Sequence, residues 1–266
     1  MEKIGLIAGN GKFPLLFAQA AKQAGACVVA VAIKEEADES LAEVVDSIYW
    51  ISVGQFKTLI KILKEENIKK AVMAGQIRHK LIFSKIELDA ELTMLLLKLK
   101  DKKTDTILGA IAQRLGQLGI ELIDSSTFLK NYMPEKGVLT SAQPTEEQWQ
   151  DINFGLETAK AIAGLDIGQT VVVKDKAVLA IEAIEGTDEA IYRGSLFSQG
   201  GAVVVKVSKP NQDMRFDIPL IGRKTIQTLI KANIAVLAIE AQKTLFLDRE
   251  YVLEEANKHN IKIVAI

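Results

Sequence analysis

The chain has 266 residues, a length that suits two α/β domains better than one. Apolar residues make up 48% of it and charged residues 25%, so each half can bury a core beneath an ordinary polar surface. The formal net charge of −1 argues against a general nucleic-acid binder, which would carry a basic excess.

In the first half, apolar runs alternate with helical patterns. Strands are predicted at 3–8, 27–33, 47–52, 70–75 and 120–126, and helices at 14–24, 56–66, 86–100 and 104–118. Strands that alternate with helices are typical of a parallel sheet with helices on both faces. We therefore predict an N-terminal Rossmann-like parallel-sheet domain over residues 1–132. The leucines of 86–100 share one helix face, which suits either core packing or the lining of an acyl-chain tunnel.

A domain boundary is predicted within residues 131–148, which hold two prolines and no long apolar run. Thr145 can cap the next helix, with Gln148 as its capping-box partner. Strands at 169–175 and 177–184 predict a hairpin, and strands at 234–241 and 243–248 predict a second pair. Further strands are expected at 201–208 and 261–266, and further helices at 146–164, 222–232 and 249–259. We predict a C-terminal catalytic α/β domain with a mixed sheet over residues 133–266.

Two loops at strand ends of the first half are candidates for binding phosphate. Gly9, Asn10 and Gly11 lie between a strand and a helix, where backbone N–H groups and the helix N-terminus favour an anion. A plain tight turn explains them equally well, since Pro14 breaks the dinucleotide fingerprint. Gly75 and Arg78 follow another strand, at the edge where ligands of open α/β sheets bind, and Arg78 could bind a phosphate there. The alternative is a solvated cationic loop. Lys103 is a third and weaker candidate for binding phosphate. The alternative is that it precedes a helix capped by Thr104 or Asp105.

An acidic segment follows a very apolar strand at 182–188 and runs on to Arg193. Glu182, as an acid in such a strand, needs a partner or a role. Thr187 can cap a short helix, and the alternative to a functional site is an ordinary strand-to-helix turn.

The densest charge lies in KPNQDMRFDIP, residues 209–219, between two prolines. If this segment is extended, Asp213, Arg215 and Asp217 face the same way. Two carboxylates and a guanidinium suit a divalent cation together with phosphate, and the alternative is a surface ion-pair loop. One cysteine and two distant histidines exclude a Cys/His metal site, so carboxylates would hold the metal, which favours Mg²⁺ or Mn²⁺.

Four segments together resemble a known family: IGLIAGNGKFP, LDIGQTVVV, AIEAIEGTD and KPNQDMRFDIPLIGRKTI. In this order, and over essentially the whole chain, they look like the LpxI type of UDP-2,3-diacylglucosamine pyrophosphatase. The resemblance implies Mg²⁺-dependent hydrolysis of the diphosphate in UDP-2,3-diacylglucosamine to UMP and 2,3-diacylglucosamine 1-phosphate (lipid X), a precursor of lipid A. By position it also implies that Asp217 is catalytic.

The motifs and the resemblance together define three sets of site residues. The expected catalytic residues are Asp217, Asp213 and Arg215. The expected metal ligands are Asp217, Asp213 and Glu185. The expected substrate-binding residues are Gly9, Asn10, Gly11, Gly75, Arg78, Lys103, Thr187, Asp188, Arg193 and Gln212.

The expected partner is a UDP-linked diacylated glucosamine lipid, without nucleic acid. We expect a cytoplasmic protein, because no export segment is visible and the apolar run at 92–100 is too short to span a bilayer. We also expect it to contact the inner-membrane surface transiently. A homodimer is compatible with the sequence. The alternative function is a non-catalytic protein that binds a nucleotide or a lipid precursor.

Overall fold

The computed structural model describes residues 1–77, 87–101 and 103–266. The chain divides into two compact units. The first unit contains Met1–Leu129 together with Met214–Phe216, and the second contains Lys130–Asp213 and Asp217–Ile266. The main change of unit thus falls between Leu129 and Lys130, next to the boundary that the sequence predicts after residue 132.

The first unit is built on a parallel sheet. Its strands are β1 (Lys3–Ala8), β2 (Cys27–Ile33), β3 (Ser47–Ile51), β4 (Lys70–Ala74) and β5 (Glu121–Leu122). Its helices are α1 (Phe13–Gln23), α2 (Phe56–Glu65), α3 (Ala90–Leu97) and α4 (Thr104–Gln117), with a 3₁₀ turn at Glu39–Glu43. The strand order is β3-β2-β1-β4-β5, and every pair is parallel. The predicted Rossmann-like domain is confirmed.

The strand order of the first unit reverses between β1 and β4, because β2 and β3 lie on one side of β1 and β4 and β5 on the other. Ligands of open α/β sheets bind outside the carboxyl ends of the strands at such a switch point. The loops that follow β1 and β4 are therefore the natural place for a ligand in this unit.

The helix predicted at 86–100 is shorter in the structure, where α3 spans Ala90–Leu97. Asp89 caps it by accepting a hydrogen bond from the amide of Leu92 at 2.9 Å. Leu92 is buried, and Leu95 and Leu96 pack against the same core. Core packing therefore accounts for these three leucines.

The second unit is built on a mixed sheet. Its strands are β6 (Gly137–Val138), β7 (Thr170–Lys174), β8 (Ala177–Ile181), β9 (Val203–Lys206), β10 (Leu220–Ile221), β11 (Val236–Ile239), β12 (Leu245–Phe246) and β13 (Lys262–Ala265). Its helices are α5 (Glu146–Gly164), α6 (Thr187–Ser198), α7 (Arg223–Lys231) and α8 (Arg249–Lys258), with a 3₁₀ turn at Lys130–Tyr132. The sheet order is β6-β13-β11-β9-β7-β8. Strands β9, β11 and β13 are parallel, whereas β6, β7 and β8 are antiparallel to their neighbours, which confirms the mixed sheet.

Two local predictions for the second unit are confirmed. The capping box of Thr145 and Gln148 is present at the start of α5. Strands β7 and β8 form the expected hairpin, and its turn residues Asp175 and Lys176 have φ of 51° and 57°. The buried carboxylate of Asp151 accepts hydrogen bonds from both turn amides, at 3.0 and 2.7 Å, and so stabilises this left-handed turn.

The predicted pairing of 234–241 with 243–248 is wrong. Strand β11 lies between β9 and β13, while β12 pairs with β10 in a separate two-stranded sheet. All four residues of β11 are buried. A strand that is apolar on both faces belongs in the middle of a sheet, so its partners come from parallel strands reached through helices.

Polar residues lie at one edge of the mixed sheet, where strands β8, β9 and β11 end and β7 begins. Strand β7 is antiparallel to β9, with Thr170 opposite Lys206, so the residue before β7 lies where β9 ends. The residues at this edge follow β8, β9 and β11 or precede β7. They are Gln169, Glu182, Ser208 and Glu240.

Candidate functional site

In the first unit, the loops after β1 and β4 are joined through their backbones. The amide of Gly9 donates to the carbonyl of Ala74 at 2.8 Å, and Asn10 and Gln76 exchange two backbone hydrogen bonds of 2.8 and 3.1 Å. The Asn10 side chain donates to the carbonyl of Glu36 at 3.2 Å. The amides of Gly9 and Asn10 are therefore already used, and a phosphate in this loop would have to meet residues that follow Asn10.

Backbone packing explains two of the predicted glycines. Gly75 has a φ of +89°, and a Cβ there would lie 2.6 Å from the carbonyl oxygen of Asn10. A Cβ on Gly9 would lie 2.7 Å from the carbonyl oxygen of Gln76. Gly11 has a φ of +95° and open space around it. The role of these glycines in substrate binding stays a prediction, and Arg78 lies outside the described residues.

Lys103 is itself the N-cap residue of α4, so Thr104 and Asp105 are inside the helix. The backbone amide of Lys103 donates to the carboxylate of Asp101 at 3.1 Å. This local turn explains the position of the helix start, and a contact of Lys103 with substrate stays a prediction.

Segment 209–219 is not an extended strand but contains turns, so the condition for the predicted alternation of Asp213, Arg215 and Asp217 is not met. Met214–Phe216 form a turn, closed by a hydrogen bond of 3.1 Å from the amide of Asp217 to the carbonyl of Asp213. The turn belongs to the first unit, whereas Asp213 and Asp217 belong to the second. The grouping of Arg215 with Asp213 and Asp217 in one site stays a prediction.

Ser125, which is fully buried, holds the turn in the first unit. Its amide donates to the carbonyl of Met214 at 3.0 Å. Its hydroxyl lies 2.7 Å from the carbonyl oxygen of Met73 and 2.6 Å from that of Arg215. Phe216 packs against the core of this unit. The backbone of the turn is thus fixed by hydrogen bonds and burial.

Asp217 is held by two neutral amides. Nε2 of Gln169 donates to its Oδ2 at 3.1 Å, and Nε2 of Gln212 donates to the same oxygen at 2.5 Å. Gln212 also donates to the backbone carbonyl of Asp217 at 2.7 Å and accepts from the amide of Lys209 at 2.6 Å. The other carboxylate oxygen, Oδ1, accepts no hydrogen bond from the described residues. Asp217 is therefore oriented through one carboxylate oxygen, and the hydrogen bonds that hold it leave the other oxygen unoccupied.

Gln212 was predicted to bind substrate, but both ends of its amide already have protein partners. Gln169 was not predicted at all. Its only signal in the sequence is its place within the LDIGQTVVV motif, since an uncharged side chain before a strand attracts no attention by residue type.

The acidic segment after β8 forms a chain of hydrogen bonds. The hydroxyl of Thr187 donates to Oε1 of Glu182 at 2.8 Å and accepts from Nζ of Lys206 at 2.8 Å. Oε2 of Glu182 accepts from the backbone amide of Gln169 at 3.2 Å. Both oxygens of Glu182 are thus occupied, unlike those of Asp217. The helix cap is Gly186, and Thr187 is the first residue of the 12-residue helix α6.

The other predicted residues of this segment have partners nearby. Glu185 pairs with Arg193, which also donates to the carbonyl of Ile181 at 2.7 Å. A hydrogen bond from its own backbone amide, aided by Arg193, holds the pKa of Glu185 below its usual value. Asp188 pairs with Lys224 at 2.6 Å and accepts from Thr228. The substrate and metal contacts predicted for these side chains stay predictions.

Glu240 anchors the start of segment 209–219. Its Oε2 accepts hydrogen bonds from the amide and hydroxyl of Ser208, at 2.5 and 2.6 Å, and from Nζ of Lys160 at 2.7 Å. Glu240 is only 8% exposed. Burial alone would raise its pKa, but the hydrogen bonds from Lys160 and Ser208 together outweigh burial, so the pKa lies below its usual value. The buried charge is therefore fully supported by its partners.

No group of three acidic, histidine or cysteine side chains that could hold a metal ion occurs within residues 1–77, 87–101 and 103–266. Mg²⁺ does not need such a group, because it commonly takes one or two carboxylates and completes its shell with water and substrate phosphates. Asp213 and Asp217, four residues apart across a turn, fit that smaller requirement.

Fold and site together define a two-unit α/β protein in which two amides orient a carboxylate of the second unit. Models of the LpxI N-terminal domain and the LpxI C-terminal domain match residues 3–132 and 135–264. The chain therefore belongs to the LpxI family, as its motifs predicted. The UDP-2,3-diacylglucosamine pyrophosphatase LpxI of Caulobacter vibrioides is 31% identical over 277 residues, covering 100% of this chain and 98% of the relative.

Solved structures give weaker matches. A biotin carboxylase domain from Hydrogenobacter thermophilus is 14% identical with a TM-score of 0.30, covering 74% of this chain and 42% of that one. A phosphoribosylglycinamide synthetase from Anaerococcus prevotii is 15% identical with a TM-score of 0.28, covering 72% of this chain and 41% of that one. This chain thus spans less than half the length of either structure. At these TM-scores neither match bears on the fold or the activity.

Across the described parts of the chain, none of the helices combines the length and the apolar character needed to cross a membrane.

Proposed function

We propose that this chain hydrolyses the diphosphate bond of UDP-2,3-diacylglucosamine to UMP and 2,3-diacylglucosamine 1-phosphate, in lipid A biosynthesis. Its family and the name of its Caulobacter vibrioides relative support the substrate. The observation that carries the proposal is the carboxylate of Asp217, with Oδ2 held by two amides and Oδ1 open. Nothing favours the alternative of a non-catalytic binding protein.

The proposed reaction uses Asp217 as the general base. Oδ1 accepts a proton from the attacking water, whose oxygen forms a bond to one phosphorus of the diphosphate. The bond from that phosphorus to the bridging oxygen breaks, and its electrons stay on the phosphate that leaves. A positioned base of this kind contributes about 10²- to 10⁴-fold to a rate.

We further propose that the reaction requires Mg²⁺, which Mn²⁺ can replace. Asp213 and the diphosphate oxygens would hold the ion, and Asp217 as a further ligand stays a prediction. Bound there, the ion would neutralise negative charge on the diphosphate. Glu185 is not needed for this arrangement, since its carboxylate already pairs with Arg193.

The acylated substrate leads us to propose transient contact with the inner-membrane surface from the cytoplasmic side. Met94 and Leu97 on α3 support such a contact, because they are 54% and 80% exposed. Apolar side chains on a helix next to lysines, here Lys98 and Lys100, suit a lipid interface. A homodimer stays a prediction.

Hydrolysis is tested by incubating the purified chain with UDP-2,3-diacylglucosamine and Mg²⁺ and identifying the products by mass spectrometry. We expect UMP and the sugar 1-phosphate in equal amounts, no products in the presence of EDTA, and recovery when Mg²⁺ or Mn²⁺ is added. Products that persist in EDTA would remove the metal from the proposal. Tight binding of the intact substrate without any UMP would support the binding protein instead.

A further inference from the structure

We propose that Gln169 is a positioning residue that fixes the carboxylate of Asp217 for the reaction. This proposal rests on the proposed function, in which Asp217 acts as the base. No predicted site set contains Gln169. The role rests on two features of Gln169. Its side-chain amide donates to Asp217, and its backbone amide and carbonyl both form hydrogen bonds.

The first observation is the contact itself. Nε2 of Gln169 lies 3.1 Å from Oδ2 of Asp217, which joins the residue before β7 to segment 209–219 within the second unit. Gln212 reaches the same oxygen from within the segment. Two donors on one oxygen restrict rotation of the carboxylate more than one donor does, because the plane of the group is then defined by both. The pair thus sets the direction of Oδ1.

The second observation is the fixed backbone of Gln169. Its amide donates to Oε2 of Glu182 at 3.2 Å, and its carbonyl accepts from the amide of Val207 at 2.9 Å. The preceding residue, Gly168, packs so tightly that a Cβ there would lie 2.0 Å from the carbonyl oxygen of Glu182. A side chain that starts from such a backbone holds its partner more accurately than one on a free loop does.

The third observation concerns the orientation of the amide. Oε1 of Gln169 is buried and has no hydrogen-bond partner among the described residues. An unpaired buried acceptor is unfavourable, yet the reverse orientation would place this oxygen against the carboxylate of Asp217, which only accepts hydrogen bonds when ionised. The contact with Asp217 therefore decides which way the amide faces, even though Oε1 then lacks a donor.

A comparison with Glu240 shows why an amide suits this position. Glu240 is held by the ammonium group of Lys160, which compensates its charge. Asp217 has no cationic partner within the described parts of the chain, since both of its donors are neutral amides. An ammonium partner would compensate the charge of Asp217, whereas a neutral amide fixes the direction of the carboxylate and leaves that charge uncompensated.

The test is the variant Gln169→Met, which keeps the length of the side chain and removes the amide. We expect kcat for UMP release to fall about 10- to 100-fold, since a hydrogen bond to a charged group is removed. KM should change less than about twofold, because the contact acts on Asp217 and not on the substrate. An unchanged kcat would overturn the proposal, as would a loss expressed only in KM.

Gln242→Met is the matched control. Nε2 of Gln242 also donates to a carboxylate of the second unit, Oε2 of Glu135, at 2.8 Å, but this pair is exposed and is separate from Asp217. We expect wild-type kcat and KM from this variant. Combining Gln169→Met with Asp217→Asn should slow release no further than Asp217→Asn alone, because residues that act as one unit are not additive. If the double variant released UMP more slowly than Asp217→Asn by the full factor measured for Gln169→Met alone, Gln169 would act independently of Asp217.

Crystal structures of the wild type and of Gln169→Met separate this proposal from the proposed function. We expect one conformer of the Asp217 carboxylate in the wild type, and a rotated or split carboxylate in the variant. If the wild type releases no UMP but the carboxylate still moves in the variant, the proposed function fails and the positioning role stands. If the carboxylate keeps its position in the variant, the positioning role is refuted whatever the activity.

Discussion

The two units support their strand-end loops in different ways. In the first unit, the loops after β1 and β4 are joined by backbone hydrogen bonds, and Gly75 allows them to approach each other closely. In the second unit, side chains hold the site, with Gln169 and Gln212 on Asp217 and Lys160 and Ser208 on Glu240. The first arrangement should therefore fail when a Cβ is added at Gly9 or Gly75, whereas the second should fail only when a particular donor or acceptor is removed.

Gly75→Ala should give the largest change in stability. A Cβ would lie 2.6 Å from the carbonyl oxygen of Asn10, on a backbone with a φ of +89° that other residues rarely adopt. We expect the free energy of unfolding to fall by about 3 kcal/mol, as measured by urea denaturation.

Gly109→Ala is the matched control for that variant. Gly109 lies inside α4 of the same unit, and a Cβ there meets nothing within 4 Å. This variant should gain about 0.5–1 kcal/mol, because alanine is the better helix former. Equal effects of the two substitutions would contradict the close-approach explanation.

Glu240→Gln should give a smaller loss in the second unit. Glu240 is 8% exposed and accepts four hydrogen bonds, two from Ser208 and one each from Lys160 and Lys243. We expect a loss of about 2 kcal/mol at neutral pH, because the partners of a buried charge are left imperfectly paired. Glu254→Gln, at an exposed ion pair on α8, should leave stability unchanged.

The effect of Glu240 should also depend on pH. Its pKa in the folded state lies below the ordinary value of 4.5, so ionisation stabilises the fold above about pH 4.5. That contribution is lost as the pH falls through the folded pKa. The stability difference between the wild type and Glu240→Gln should therefore shrink on acidification below pH 4.5, as followed by denaturation at each pH. A constant difference would mean that the carboxylate is not the source of the effect.

Glu185→Gln should change the stability less than Gly75→Ala or Glu240→Gln does. The pair with Arg193 is half-exposed, so its loss should cost less than about 1 kcal/mol. If Asp213 and the diphosphate suffice to hold Mg²⁺, the Mg²⁺ concentration that gives half-maximal hydrolysis should not change. A large increase in that concentration would restore Glu185 as a metal ligand, as the sequence predicted.

The sequence predicted those features that depend on local patterns. The alternation of apolar runs and helices in residues 1–132 gave the parallel sheet, and Thr145 with Gln148 gave the capping box. The pairing of β11 was missed because the choice of strand partners depends on burial on both faces, which neighbouring residues do not reveal. Chain proximity favoured 243–248 over the distant β9 and β13.

The candidate site was predicted only in part. Asp217 was found because its charge and its motif made it conspicuous. Gln169, 48 residues earlier, was missed because its role depends on an antiparallel strand that returns it to the end of β9. The extended conformation considered for segment 209–219 was wrong, because a local hydrogen bond closes a turn within it. Contacts between distant segments and the conformation of a polar loop are set by the folded chain.

The most direct test of the central role of Asp217 is single-turnover UMP release by Asp217→Asn, with substrate binding measured on the same preparation. Asparagine keeps the size of the side chain and can still accept hydrogen bonds from Gln169 and Gln212 through its oxygen. We expect release to fall by about 10³-fold or more while the dissociation constant of UDP-2,3-diacylglucosamine stays within about threefold. Release at the wild-type rate by a folded Asp217→Asn variant would contradict the role of this carboxylate as the base.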